Sequence, residues 1–231
     1  MRDNTVIRSS ELSLAKTGFM NRVYLWMTVG LLLTGVVAFV VSNSPTLMQA
    51  IFSSKIIVFG LIGLQLAAVI GLSAMINRLS VVTAGLIFLA YAALTGLTFA
   101  MIFMAYTQQS IASAFIVTTA SFAGLSIFGF VTKRDLGPIG SFCIMGLFGL
   151  VGITILSFFF HSLMATSIQM ALSVAGVIIF AGLTAYDTQR IKQLGLSRPN
   201  ASQEAVLGAL MLYLDFINLF LMILRLMGDR R

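Results

Sequence analysis

Seven apolar runs, each about as long as a bilayer is thick, constrain this chain more than any other feature. They fall at roughly 22–41, 56–76, 81–105, 110–131, 138–160, 165–187 and 206–227. A helix needs about 20 mostly apolar residues to cross the hydrocarbon core, and within lipid its backbone polar groups are satisfied inside the segment. Barrel strands are shorter and alternate apolar with polar residues, so uninterrupted runs predict helices. Composition agrees: 59% of the 231 residues are hydrophobic and 9% are charged, against about a quarter charged in a soluble domain. Too little polar surface remains to coat a water-soluble globule. The expected fold is all-α and polytopic, with a polar tail over residues 1–20 and a seven-helix transmembrane domain over 21–231. The short connections leave no room for a soluble domain. The first run follows the tail and is long enough to span, which predicts a signal anchor rather than a cleaved signal peptide.

The formal net charge is +7, yet the basic residues form no stripe of the kind that tracks nucleic acid. They sit at segment ends and read as topology. With the N-terminus in the cytoplasm, that side carries Arg2, Arg8, Lys16, Arg22, Arg78, Lys133, Arg134, Arg190, Lys192 and Arg198. The other side keeps Lys55 and, if all seven runs span, Arg225, Arg230 and Arg231, in accord with the positive-inside rule. A re-entrant last run would bring the three C-terminal arginines to the cytoplasmic side; the length of 206–227 favours a crossing. Gly140, Gly146, Gly149 and Gly152, and more loosely Gly85 and Gly96, allow close helix approach. Trp26, Tyr24 and Tyr106 near segment ends read as interface anchors. The sequon at Asn200 falls in a loop assigned to the cytoplasm and is read as chance. The single Cys143 lies within the fifth run and excludes an intrachain disulfide; a buried structural thiol is expected.

Acidic residues are few enough to sort one by one. Asp3, Glu11, Asp135, Glu204 and Asp229 lie in tails or loops and are expected to be solvated. Asp187, in Tyr186-Asp187-Thr188-Gln189, closes the sixth run; Asp215, in Leu214-Asp215-Phe216-Ile217-Asn218, lies well inside the seventh. An aspartate at the bilayer centre costs about 2.5–3.5 kcal/mol on insertion scales, and such residues face a cavity or a partner. If the sixth helix ends near Leu194 and the seventh starts near Gln203, the two aspartates differ in depth by about five residues, or roughly 7–8 Å. A pair is allowed, not required, by that spacing. Two close carboxylates share a proton and titrate as a unit; deprotonated, they can hold a hard divalent cation. Plainer readings exist. Asp187 can pair with Arg190 one turn on, Asp215 can be a buried polar contact sharing a face with Asn218, and Arg78 can be a topology charge. His161 reads as interfacial, and the scattered methionines read as packing. No nucleophile–base or zinc-type spacing occurs, so an enzyme is not expected.

Tyr186-Asp187-Thr188-Gln189 together with Leu212-Tyr213-Leu214-Asp215-Phe216-Ile217-Asn218-Leu219-Phe220 resembles the transmembrane Bax inhibitor motif family. Lys133-Arg134-Asp135-Leu136 and the C-terminal end resemble its bacterial inner-membrane branch, and the likeness covers essentially the whole chain. The resemblance implies a central last helix surrounded by three helical hairpins, and a pH-sensitive calcium leak. It implies that Asp187 and Asp215 form a hydrogen-bonded pair at the cytoplasmic end of the pathway, with Arg78 latching onto the first when closed. Gln65 stands near where some members carry a glutamate, so an outer calcium-attracting site is not implied. Gln65 and Asn218 are candidate pathway residues, and calcium is a transient, permeant ion at Asp187 and Asp215 rather than a tightly bound cofactor.

Two functions follow as expectations. The first is a proton-gated cation leak, acting as a monomer in a bacterial inner membrane. The second is an integral regulator or substrate of a membrane protease complex without transport activity, in which residues 1–20 provide the segment a partner grips.

Overall fold

A computed structural model describes residues 2–157, 159–160, 165–194 and 201–229, with side chains from residue 17 onward except at 201. His161, Arg198, Asn200, Arg230 and Arg231, and the side chains of Arg2, Asp3, Arg8, Glu11 and Lys16, lie outside the described residues. The described chain is helical: α1 (Arg2–Ser42), α2 (Pro45–Phe52), α3 (Lys55–Met75) with a 3₁₀ turn (Ile76–Arg78), α4 (Val81–Ala105), α5 (Gln108–Val131), α6 (Gly137–Ser157), α7 (Thr166–Leu194) and α8 (Ala201–Met227). All but α2 are long and apolar enough to cross a membrane. Their outward faces carry large apolar side chains such as Phe59, Phe142 and Phe148, each more than 60% exposed. That is the surface expected of helices solvated by lipid.

The helix ends differ from the apolar runs, for physical reasons. Hydropathy stops the sixth run at Asp187, but α7 continues to Leu194, the end supposed in the depth estimate. Gln189, Arg190 and Lys192 are good helix formers, and Gln189 and Ile191 are buried. Likewise α1 begins at Arg2, so its helix continues through the stretch expected as a separate polar tail. The short α2 was not expected at all. Its start has a clear local cause: Ser44 caps it, the hydroxyl accepting from the Leu47 N–H, and Pro45 occupies the first turn, where a missing N–H costs nothing.

The chain forms two compact units: Met1–Ala105 with Ile191–Tyr213, and Tyr106–Arg190 with Leu214–Arg231. In the first, α1 and α3 both pack on α4. Close approach is set by glycine: an added Cβ at Gly96 would lie 2.8 Å from the Thr34 carbonyl oxygen, and one at Gly85 would lie 2.6 Å from the Trp26 ring. Trp26 is therefore a packing residue over Gly85 and an edge-on neighbour of Phe88, not the interface anchor expected. Tyr213 is fully buried, stacks edge-on with Phe88 and Tyr91, and shares a 2.6 Å hydrogen bond with the Thr34 hydroxyl. Buried hydroxyls need such partners.

In the second unit two sets of hydrogen bonds fix which helix ends meet. The Thr107 N–H donates to the Asp229 carbonyl, and the Asp229 N–H donates to the Ser110 hydroxyl. The end of α8 thus lies beside the start of α5. At the opposite end, Gln189 of α7 is bonded to the loop between α5 and α6. The last run is one continuous helix, long and apolar enough to cross, and does not turn back on itself. Tyr106, also read as an anchor, is buried against Gly228. Gly140 lies against the Tyr186 ring and Gly146 against Ile179, whereas Gly149 and Gly152 face open space and do not mediate packing.

Of the seven candidate spans α8 is the most enclosed, with 67% of its most apolar window buried against at most 39% in any other. The expected enclosure of the last helix is met. Glu204 shares it: expected in a solvated loop, it sits in the first turn of α8 and is only 3% exposed. Unsatisfied N–H groups and the helix dipole favour an acidic side chain at that end.

Candidate functional site

The second unit holds both aspartates, and its packing explains how. Phe216 sits edge-on to Phe115 and Phe122, and Phe220 to Phe115, which ties α8 to α5 in the turn and a half that follows Asp215. On α7, Gly129 of α5 presses against the Ala185 backbone, Gly140 of α6 against Tyr186, and Gly182 against the buried Cys143 thiol. The segment 182–188 is therefore seated by contacts with small residues. One turn of hydroxyls completes it: Thr188 donates to the Thr184 carbonyl and lies 3.3 Å from the Ser126 hydroxyl.

Between these surfaces the side chains of Asp187 and Asp215 hydrogen-bond to each other. Asp187 lies seven residues before the end of α7 and Asp215 fourteen after the start of α8, a larger offset than expected because α8 begins at Ala201 rather than near Gln203. A bond between two carboxyl groups requires one proton, since ionised carboxylates only accept. Asp215 is 5% exposed, and its second oxygen, Oδ2, is enclosed with no hydrogen-bond partner. Asp187 is half-buried and near enough to the exposed Arg190 to feel its charge. A buried charge without a partner is far costlier than a neutral group, so the single negative charge of the pair resides most cheaply on Asp187. The plain reading of Asp187 as a partner of Arg190 thus covers only part of its surroundings.

The other expected residues are placed as follows. The Asn218 amide donates to the Leu214 carbonyl one turn back on α8, at 2.8 Å. Gln65 lies in the first unit, donating to the Leu94 carbonyl at 2.9 Å and lying 3.4 Å from the Thr98 hydroxyl. Arg78 is exposed in the 3₁₀ turn of the first unit, while both aspartates belong to the second. Among the described residues no group of three or more His, Cys, Asp and Glu side chains gathers as a metal cluster.

Sequence reading missed Gln189. It is 8% exposed and spends both ends of its amide on the α5–α6 loop: Oε1 accepts from the Leu136 N–H at 2.9 Å and Nε2 donates to the Arg134 carbonyl at 2.8 Å. The residue stood in the Tyr186-Asp187-Thr188-Gln189 string, within a helix expected to end near Leu194 as α7 does, but nothing in the string shows which loop its amide meets. Gln189→Leu leaves two backbone groups unpaired. The expected cost is about 2 kcal/mol, together with faster tryptic cleavage after Lys133 and Arg134, read by limited proteolysis of the folded protein in detergent.

A model of the family described as inhibitor of apoptosis-promoting Bax1 matches residues 16–231. Inner membrane protein YbhL of Escherichia coli K12 is 47% identical over 218 residues, covering 92% of each chain. A protein of Borreliella burgdorferi is 41% identical over 222 residues, covering 94% of each, and YrjE of Lactococcus lactis is 34% identical over 238 residues, covering 99% of this chain and 97% of its own. With a match over nearly all of its length, seven membrane-crossing helices and the two aspartate motifs, the chain belongs to the Bax inhibitor family of membrane proteins.

Proposed function

We propose that this protein is a pH-sensitive cation leak of the bacterial inner membrane, passing calcium, with the Asp187–Asp215 pair as its proton switch. The observation that carries the reading is the buried carboxyl–carboxyl hydrogen bond in the most enclosed helix, with Asp215 Oδ2 left unpartnered. A protein under no demand beyond stability gains nothing from two acids there. With the shared proton in place, α7 and α8 are held together and the path is closed. Loss of that proton leaves two anions facing each other, which separates the helices and offers a transient oxygen site to a hard cation. Two carboxylates are fewer ligands than a stable calcium site uses, which suits passage over storage. The inner-membrane location rests on the name of the E. coli relative. The cytoplasmic N-terminus rests on the charge distribution, and the latch role of Arg78 on the family resemblance. The chemistry is transport, not catalysis.

In proteoliposomes, calcium flux is expected to rise as the pH is raised through the titration of the pair. Asp187→Asn/Asp215→Asn is expected to leak at a rate independent of pH; an unaltered pH profile in that protein would sink the proposal. The protease-regulator reading draws on α1, whose helix continues from the first span back to Arg2 and provides a handle for a partner. Deleting residues 2–15 should abolish co-purification with a protease while leaving flux intact.

A further inference from the structure

One end of the second unit carries an organised cationic surface for which the proton switch has no use. Lys133 and Arg134 are both exposed at the tip of the α5–α6 loop, and their side chains hold no partner among the described residues. The loop beneath them is closely bonded. The Thr132 N–H donates to the Phe128 carbonyl, the Arg134 N–H to the Thr132 hydroxyl, and the Gly137 N–H to Asp135 Oδ1. The buried Gln189 grips Arg134 and Leu136 from α7, which brings the exposed Arg190 to the same end. An ordinary topology charge needs no such bracket. Directly below the loop, the last turn of α5 and the first of α6 turn apolar side chains outward: Phe128, Val131, Ile139 and Phe142 are 47–68% exposed.

We propose that this surface binds the headgroup of an anionic phospholipid, whose acyl chains lie along Phe128, Val131, Ile139 and Phe142. Charge complementarity selects the headgroup. Continuity with the lipid-facing surface of α5 and α6 selects a lipid over a soluble anion, because cations at the end of an apolar helix face reach the interface while their stems stay in hydrocarbon. The backbone of the loop is held in place, so binding has to order only the two basic side chains.

The test uses the full-length protein in nanodiscs of phosphatidylcholine containing a minority of phosphatidylglycerol, with retained lipid counted by native mass spectrometry. Wild type is expected to retain phosphatidylglycerol preferentially. Lys133→Gln/Arg134→Gln is expected to lose about fivefold in that preference for each basic residue removed. Both side chains are exposed, so an unchanged melting temperature should accompany the loss. Lys55→Gln, at the start of α3 in the first unit, should keep the wild-type preference. No preference in wild type, or full preference in the double variant, overturns the proposal. So does equal competition by soluble glycerol phosphate, which would mark a site for free anions. None of these readouts depends on ion flux, so the lipid site and the proton switch stand or fall separately.

Discussion

Replacing Gly129 by alanine is expected to lower stability by about 2–3 kcal/mol, near the top of the range for overpacked sites. The methyl group would meet the Ala185 backbone carbonyl, and no flexible side chain is there to move aside. The two helices must part or shift, and the shift falls two residues from Asp187. Gly149 supplies the control, since an alanine there meets nothing within 4 Å and should be neutral within about 0.5 kcal/mol. The two variants differ from wild type by the same single methyl on helices of the same unit. Thermal unfolding in one detergent should therefore separate them, with a clearly lowered transition for Gly129→Ala alone. Equal transitions would mean that α5 and α7 do not approach as closely as described.

The second large effect concerns the proton itself. Asp215→Asn places an amide where the shared proton is held, and an amide donates to Asp187 at every pH. The pair is then fixed in its hydrogen-bonded form. Calcium flux should stay at its closed level as the pH is raised, at least tenfold below wild type where the wild-type pair has lost its proton. Asp187→Asn acts differently. It keeps Asp215 titratable but removes the half-buried partner near Arg190 that carries the charge of the pair. Flux in that protein should still respond to pH, over a displaced range. Two superimposable profiles would show that the aspartates do not divide their roles as their burial suggests.

How much of this could be read from sequence depended on the physics behind each feature. The seven spans were legible because hydrocarbon thickness fixes helix length and because apolar runs have no other solvent. Both aspartates were legible because charge is rare and costly in lipid. Their contact was not, since depth counting depends on where α7 and α8 end, and hydropathy locates charged residues rather than helix ends. Gln189 lay within the expected helix, but its bonds to the α5–α6 loop depend on which helix ends meet, which hydropathy does not show. Hydropathy also put Glu204 in a solvated loop, when it lies buried in the first turn of α8. Trp26 and Tyr106 were misread because an aromatic near a span end can as well fill the space above a glycine, Gly85 or Gly228, as anchor at an interface. Nor does a glycine show by itself which neighbour it admits: Gly140 and Gly146 receive side chains, while Gly149 and Gly152 receive none.

The central claim is that one proton shared by Asp187 and Asp215 holds the path closed, and one measurement tests it directly. The infrared carbonyl band of protonated carboxyl groups can be titrated on the same proteoliposomes whose calcium flux is recorded. The expected band fades as flux rises, with one midpoint for both, and is missing in Asp215→Asn. Flux that rises while the band stays constant, or a band that survives in Asp215→Asn, would contradict it.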